Sequence, residues 1–130
     1  MYSRKITVGA ITDLLRLYRH SMQSYALNLE GSGYHHYSDF IQTLHIHGDF
    51  AKLVCIGLVE RGSNHDPAKK DSGMYKITAK GVAFVCDGGT VPERLFLYHN
   101  ELTGVSLETK RVTDFYPQFN YEQLMAEGVI

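Results

Sequence analysis

Two quoted blocks decide how this chain reads: Gly48-Asp-Phe-Ala-Lys-Leu-Val-Cys-Ile-Gly-Leu-Val-Glu-Arg61 and Gly73-Met-Tyr-Lys-Ile-Thr-Ala-Lys-Gly-Val-Ala-Phe-Val85. The first predicts a helix starting near Asp49 with Phe50, Leu53, Val54, Gly57 and Leu58 inward, followed by a strand over 58–61. Between the blocks, residues 62–72 hold Gly, Ser, Asn, Asp and Pro, the residues of a hairpin tip. On the return strand Tyr75 and Ile77 point the same way; Thr78 then caps a helix over 79–86, which Asp87-Gly-Gly89 ends. Helix, strand, polar hairpin, strand and helix, in that order, form the second half of a winged helix-turn-helix.

Upstream, Ile11, Leu14, Leu15, Tyr18, Met22 and Leu29 recur at helical spacing, predicting an amphipathic helix over 8–28. Arg16, Arg19 and His20 fall off that stripe and are expected to face solvent. Gly31-Ser-Gly33 breaks the helix. Ser38 is the expected N-cap of a second helix burying Phe40, Ile41 and Leu44, and residues 45–48 turn into the third. Downstream, Arg94-Leu-Phe-Leu-Tyr-His99 is a near-continuous apolar run, suited to a strand covered on both faces. Residues 100–104 are expected to turn the chain, 105–112 to return it, and a short helix to run over 121–127 after Pro117. The fold class is therefore α+β: a winged helix-turn-helix with an appended C-terminal β-hairpin and short helix. It reads as one domain over 1–130, with the winged-helix core in 1–90 and the extension in 91–130.

Four blocks carry a family resemblance. Gly48-Asp-Phe-Ala-Lys-Leu with Gly57-Leu-Val-Glu, Ser72-Gly-Met-Tyr-Lys-Ile-Thr-Ala-Lys-Gly, Val91-Pro-Glu-Arg-Leu-Phe-Leu-Tyr-His-Asn and Phe119-Asn-Tyr-Glu-Gln-Leu-Met resemble a group of small, uncharacterised phage and prophage winged-helix proteins. The likeness covers roughly residues 37–127. It implies a phage-related setting in a host cytoplasm, and it carries no catalytic residues over.

Composition agrees with an ordinary globular protein, 44% hydrophobic and 21% charged. No apolar run approaches the roughly 20 residues of a membrane helix, and the start lacks a secretory segment. Cys55 and Cys86 fall in apolar helical contexts and read as reduced core thiols of a cytoplasmic protein. Net charge is −1, but it is unevenly spread. Through residue 85 ten Lys/Arg face seven Asp/Glu, a balance of +3; beyond it three face seven, a balance of −4. A strongly basic nucleic-acid module is excluded, so any such affinity has to come from a local patch.

That patch has named members. On the third helix the outward positions are Ala51, Lys52, Cys55 and Ile56, and of these Lys52 alone can donate to a base edge. Around the hairpin stand Arg61, His65, Lys69 and Lys70, with Lys76 and Lys80 close by, and Arg16 and Arg19 on the first helix. Such residues contribute salt-sensitive contacts to phosphate; charge at a hairpin tip serves solubility equally well.

Other chemistry is weaker. His35, His36, His45 and His47 bracket the second helix and Cys55 follows, a donor set that suits zinc. Their spacing fits no familiar Cys/His pattern, so no metal and no cofactor is expected. There is no phosphate-cradling Gly-x-x-x-x-Gly-Lys and no His-Glu-x-x-His, and an enzyme is not expected. The aromatics at Tyr34/Tyr37, Phe96/Tyr98 and 115–121 read mostly as core, although tyrosine beside acidic residues also suits a protein interface.

The expectation is a small phage-type DNA-binding or regulatory protein working through wing and third helix, with nucleic acid as partner and no membrane. The competing expectation is a protein-binding module, such as a phage-encoded inhibitor of a host defence complex (anti-CRISPR-like), using the acidic, aromatic last third on a host protein. An open hairpin edge within 94–112 additionally suits a homodimer.

Overall fold

Ala10, Ile11, Leu14, Leu15, Leu17 and Tyr18 are all buried, and with Thr12 and Asp13 they leave helix α1 (Val8–Ala26) almost no exposed face along two turns. A helix buried all round lies in the middle of its fold. The structure, a computed structural model, describes residues 2–26, 34–40, 50–62, 74–99 and 101–127. It is mixed helix and sheet, α+β. Among these residues no helix is long and apolar enough to cross a membrane.

Strand β1 (Tyr2–Lys5) precedes α1 and pairs antiparallel with β6 (Arg94–Tyr98), Arg4 opposite Leu95 and Tyr2 opposite Leu97. After α1 come β2 (His35–His36) and α2 (Tyr37–Phe40). Phe50 and Ala51 are helical and lead into a 3-10 turn, Lys52–Val54. Strands β3 (Val59–Arg61) and β4 (Met74–Ile77) follow, and β2 joins them in a sheet of order β2–β4–β3. Helix α3 (Ala79–Cys86) leads to β5 (Val91–Pro92), β6, β7 (Glu101–Val105) and β8 (Thr109–Lys110). Two short helices, α4 (Val112–Phe115) and α5 (Tyr121–Glu127), close the chain.

Helix α1 packs against α2, β4, α3, α4 and α5, so elements from both ends of the chain share one core. That core includes Phe40, Phe50, Leu53, Leu58, Tyr75, Phe84, Leu95, Leu97, Val112 and Leu124. Phe50 sits between two rings, 5.5 Å from Phe40 and 4.9 Å from Tyr75. The Thr12 and Tyr116 hydroxyls are hydrogen-bonded, tying α1 to the end of α4.

Local chemistry explains the boundaries around the hairpin. The 3-10 turn ends in a Schellman arrangement: Leu58 N–H donates to Leu53 C=O (3.1 Å) and Gly57 N–H to Val54 C=O (3.1 Å). Gly57 has φ +78°, a left-handed conformation that glycine adopts without penalty. Thr78 caps α3 by accepting from Gly81 N–H at 3.1 Å.

Several expectations need correction. Arg16, Arg19 and His20 are half-buried, because α5 and β2 cover that side of α1. Ser38 lies inside α2, which begins a residue earlier. Gly57 is exposed and follows the 3-10 turn as its left-handed cap, where the helical pattern made it an inward position. Ile56 is buried and Val54 only half-buried, because a 3-10 turn advances about 120° per residue. Cys55 and Cys86 are free thiols, and both are exposed. Strand β6 alternates, with Leu95 and Leu97 buried and Phe96 half-buried, so only one face is fully covered. The chain reverses before Glu101, since Tyr98 already pairs with Glu101, and Glu101–Val105 is strand. Ile41, Leu44, His45, His47, Asp49, His65, Lys69, Lys70 and the joint at 31–33 lie outside the described residues.

Candidate nucleic-acid interface

The β3–β4 hairpin positions the exposed cations. Val59 pairs with Ile77 and both point into the core; Glu60 pairs with Lys76 and both are exposed. Arg61 is opposite Tyr75, and its guanidinium lies 5.9 Å from that ring's centroid. The Lys76 ammonium stands 5.9 Å from the ring of Tyr34, within the range of a cation–π contact. Tyr34 also turns its hydroxyl to Glu60, donating at 3.4 Å. The outward face of the hairpin thus combines one Lys, one Glu and an aromatic ring, with Arg61 at its side.

The remaining expected contacts fall into two groups. Lys52 is half-buried on the 3-10 turn. Lys80 donates from Nζ to the Ile56 carbonyl at 2.7 Å, meeting an orphan acceptor just after the 3-10 turn. Arg16 lies 3.5 Å from Asp13, a side chain only 1% exposed, and Arg19 Nε donates to the Met125 carbonyl at 3.4 Å. Lys80, Arg16 and Arg19 are therefore engaged in holding elements together. Arg61 and Lys76 stand on adjacent strands one register position apart, so they project from opposite faces of the hairpin, while Arg19 on α1 reaches α5.

Tyr34, expected with the core, lies beside the hairpin cations instead. It is half-buried because it stands just before the two-residue strand β2, which no pattern in the sequence announces. A half-buried aromatic beside a lysine can stack on an unpaired base while the lysine meets phosphate.

The histidines show a different relation. His20 and His35 stand edge to face, ring centroids 4.6 Å apart, and His36 stacks on Tyr37 at 4.9 Å. Burial, then the neighbouring His20, lowers the His35 pKa from its ordinary 6.5, against the opposing pull of Asp39. Among the described residues no three His, Cys, Asp or Glu side chains gather as a metal site would need. No family model, curated protein or solved structure matches the chain.

Proposed function

We propose that this chain is a winged-helix protein of phage type that binds nucleic-acid backbone through the β3–β4 hairpin, as a regulatory binder and not an enzyme. The observation carrying this reading is the sheet order β2–β4–β3 behind α1, α2 and the 3-10 segment, with Arg61 and Lys76 exposed on its hairpin. In a winged helix the first strand pairs with the third, and the hairpin between the second and third strands projects as the wing. The contacts belong to Arg61, Lys76, Lys52 and, in the sequence between the two strands, Lys69 and Lys70, with Tyr34 as a stacking platform. Glu60 on the same face and the acidic last third keep the affinity modest and salt-sensitive.

The test is fluorescence anisotropy on random duplex and single-stranded oligonucleotides at about 50 mM salt, where such binding is strongest. The expected result is binding whose log–log salt slope falls by about 0.9 for each duplex phosphate contact removed in Arg61→Ala, Lys76→Ala and Lys69→Ala/Lys70→Ala. Absence of binding to either form, or variants indistinguishable from wild type, overturns the reading. The competing protein-binding module instead expects Lys52→Glu to keep full activity.

A further inference from the structure

Strand β7 is an edge. Its sheet runs β1–β6–β7, and among the described residues no strand lies beyond it. Ser106 N–H donates to the Arg94 carbonyl at 3.0 Å, so Ser106 turns its backbone toward β6. By antiparallel alternation the N–H and C=O of the preceding Val105 point to the open side.

The side chains add to this. A bulge lies between the pairs Phe96–Gly104 and Leu97–Leu102, so Thr103 is an extra residue in β7. That extra residue brings Leu102 and Val105 to the same face, opposite the fully buried Leu97 and Leu95. Both are aimed along the core side of the sheet, yet Leu102 is 37% and Val105 46% exposed. Leu107, just beyond, is 97% exposed. Apolar side chains on the covered face of a sheet, left half in water at its rim, mark a sheet that continues.

We infer that β7 pairs antiparallel with β7 of a second copy, giving a two-fold dimer through one continuous sheet. A two-fold axis between Thr103 and Gly104 sets Leu102 against the partner's Val105, and Val105 against the partner's Leu102. Each large side chain then meets an apolar one on the same face, and the bulges of the two strands lie side by side at the axis. The only charge in the strand, Glu101, falls opposite the partner's Ser106, so no like charges meet. The opposite edge differs: β1 carries exposed Arg4 and Lys5, the kind of charge that deters edge pairing. One edge is guarded and the other is not. This interface stands apart from the hairpin cations, so it does not depend on the nucleic-acid reading.

The experiment is sedimentation equilibrium of the full chain, with Val105→Lys as the variant, and amide exchange of the wild type over a range of concentrations. The expected result is a species of twice 14.7 kDa for wild type and of 14.7 kDa for Val105→Lys. The Val105 amide should also exchange about twentyfold more slowly when free monomer stands at about ten times the dissociation constant, since each dimer holds two chains. Wild type that stays monomeric to hundreds of micromolar overturns the inference. So does a dimer that Val105→Lys leaves intact, or one formed with another protein while the purified chain stays single. Should Val105→Lys fail to fold, exchange in the wild type decides: a concentration-independent Val105 rate overturns the interface.

Discussion

Gly81 sets its bare Cα against the backbone carbonyl of Leu58, the same oxygen that accepts the Thr78 N–H at 3.1 Å. A β-carbon there would meet that oxygen and stand 2.7 Å from Ile77 Cγ1. In an exposed helix the change from glycine to alanine gains about 1 kcal/mol. Here the sign reverses. Gly81→Ala is expected to cost about 1–3 kcal/mol, since the obstructing atom is backbone and cannot swing aside. Thermal unfolding should fall by roughly 4 °C per kcal/mol at this chain length. An unchanged or raised midpoint would show that helix α3 does not sit this close to Leu58.

Thr78 works at two ends. Its hydroxyl accepts from Gly81 N–H at 3.1 Å and donates to the Gly57 carbonyl, joining the start of α3 to the glycine that ends the 3-10 turn. Thr78→Ala should cost about 1–2 kcal/mol, a cap together with a hydrogen bond. Thr78→Ser keeps both and should recover most of the loss. Denaturant midpoints of the two variants check this; equal losses would argue that the methyl group, not the hydroxyl, matters.

The parts of this fold that could be read from sequence are those set by neighbours in the chain. Thr78 as cap, the inward pair Tyr75 and Ile77, and the end of α3 at Asp87 follow from local hydrogen bonding and strand alternation. Strand β1 could not be read, because Tyr2-Ser-Arg-Lys5 carries no apolar alternation and its partner lies some ninety residues away. Val54, Ile56 and Gly57 depart from the helical pattern because it assumes 100° per residue where the turn is 3-10 and a Schellman glycine follows. For the candidate interface, sequence could rank Lys and Arg by position but not by partner. Nothing local shows that Lys80 reaches Ile56 or that Arg19 reaches Met125.

His35 should make the protein acid-sensitive. Its folded pKa lies below the ordinary 6.5, because burial and His20 disfavour the imidazolium. The folded state therefore binds fewer protons than the unfolded chain, and stability falls as pH falls. This contribution is complete above about 6.5 and is lost as pH drops through the folded value. Urea midpoints at about pH 7.5 and about pH 5 should show the loss, and His35→Gln should reduce it. In His20→Gln the His35 proton signal should titrate closer to 6.5. A His35 that titrates at or above that value in the wild type contradicts the geometry.

Tyr18 carries the opposite sign at the alkaline end. Its hydroxyl is hydrogen-bonded to that of Tyr121 at 2.8 Å and accepts from Cys86 Sγ at 3.2 Å, with the ring buried. Burial first, then these two partners, raises its pKa well above the ordinary 10.0. The stability linked to this is fully present below about 10 and is lost as pH rises toward the folded value. Tyr18→Phe should cost about 1 kcal/mol at neutral pH and lessen the alkaline loss. Tyrosinate absorbance in the native wild type should lack the Tyr18 contribution at about pH 10.5 and gain it on unfolding.

The pairing of β1 with β6 also orders the birth of the molecule. Residues 2–5 leave the ribosome well before their sheet partner, 94–97, which is made some ninety residues later, about ten seconds at ordinary elongation rates. The β3–β4 hairpin has both strands within residues 59–77 and can close in that interval. Nascent Tyr2–Lys5 must wait as an unmatched ribbon, and its Ser-Arg-Lys sequence keeps that ribbon hydrated until the last third of the polypeptide arrives to clasp it.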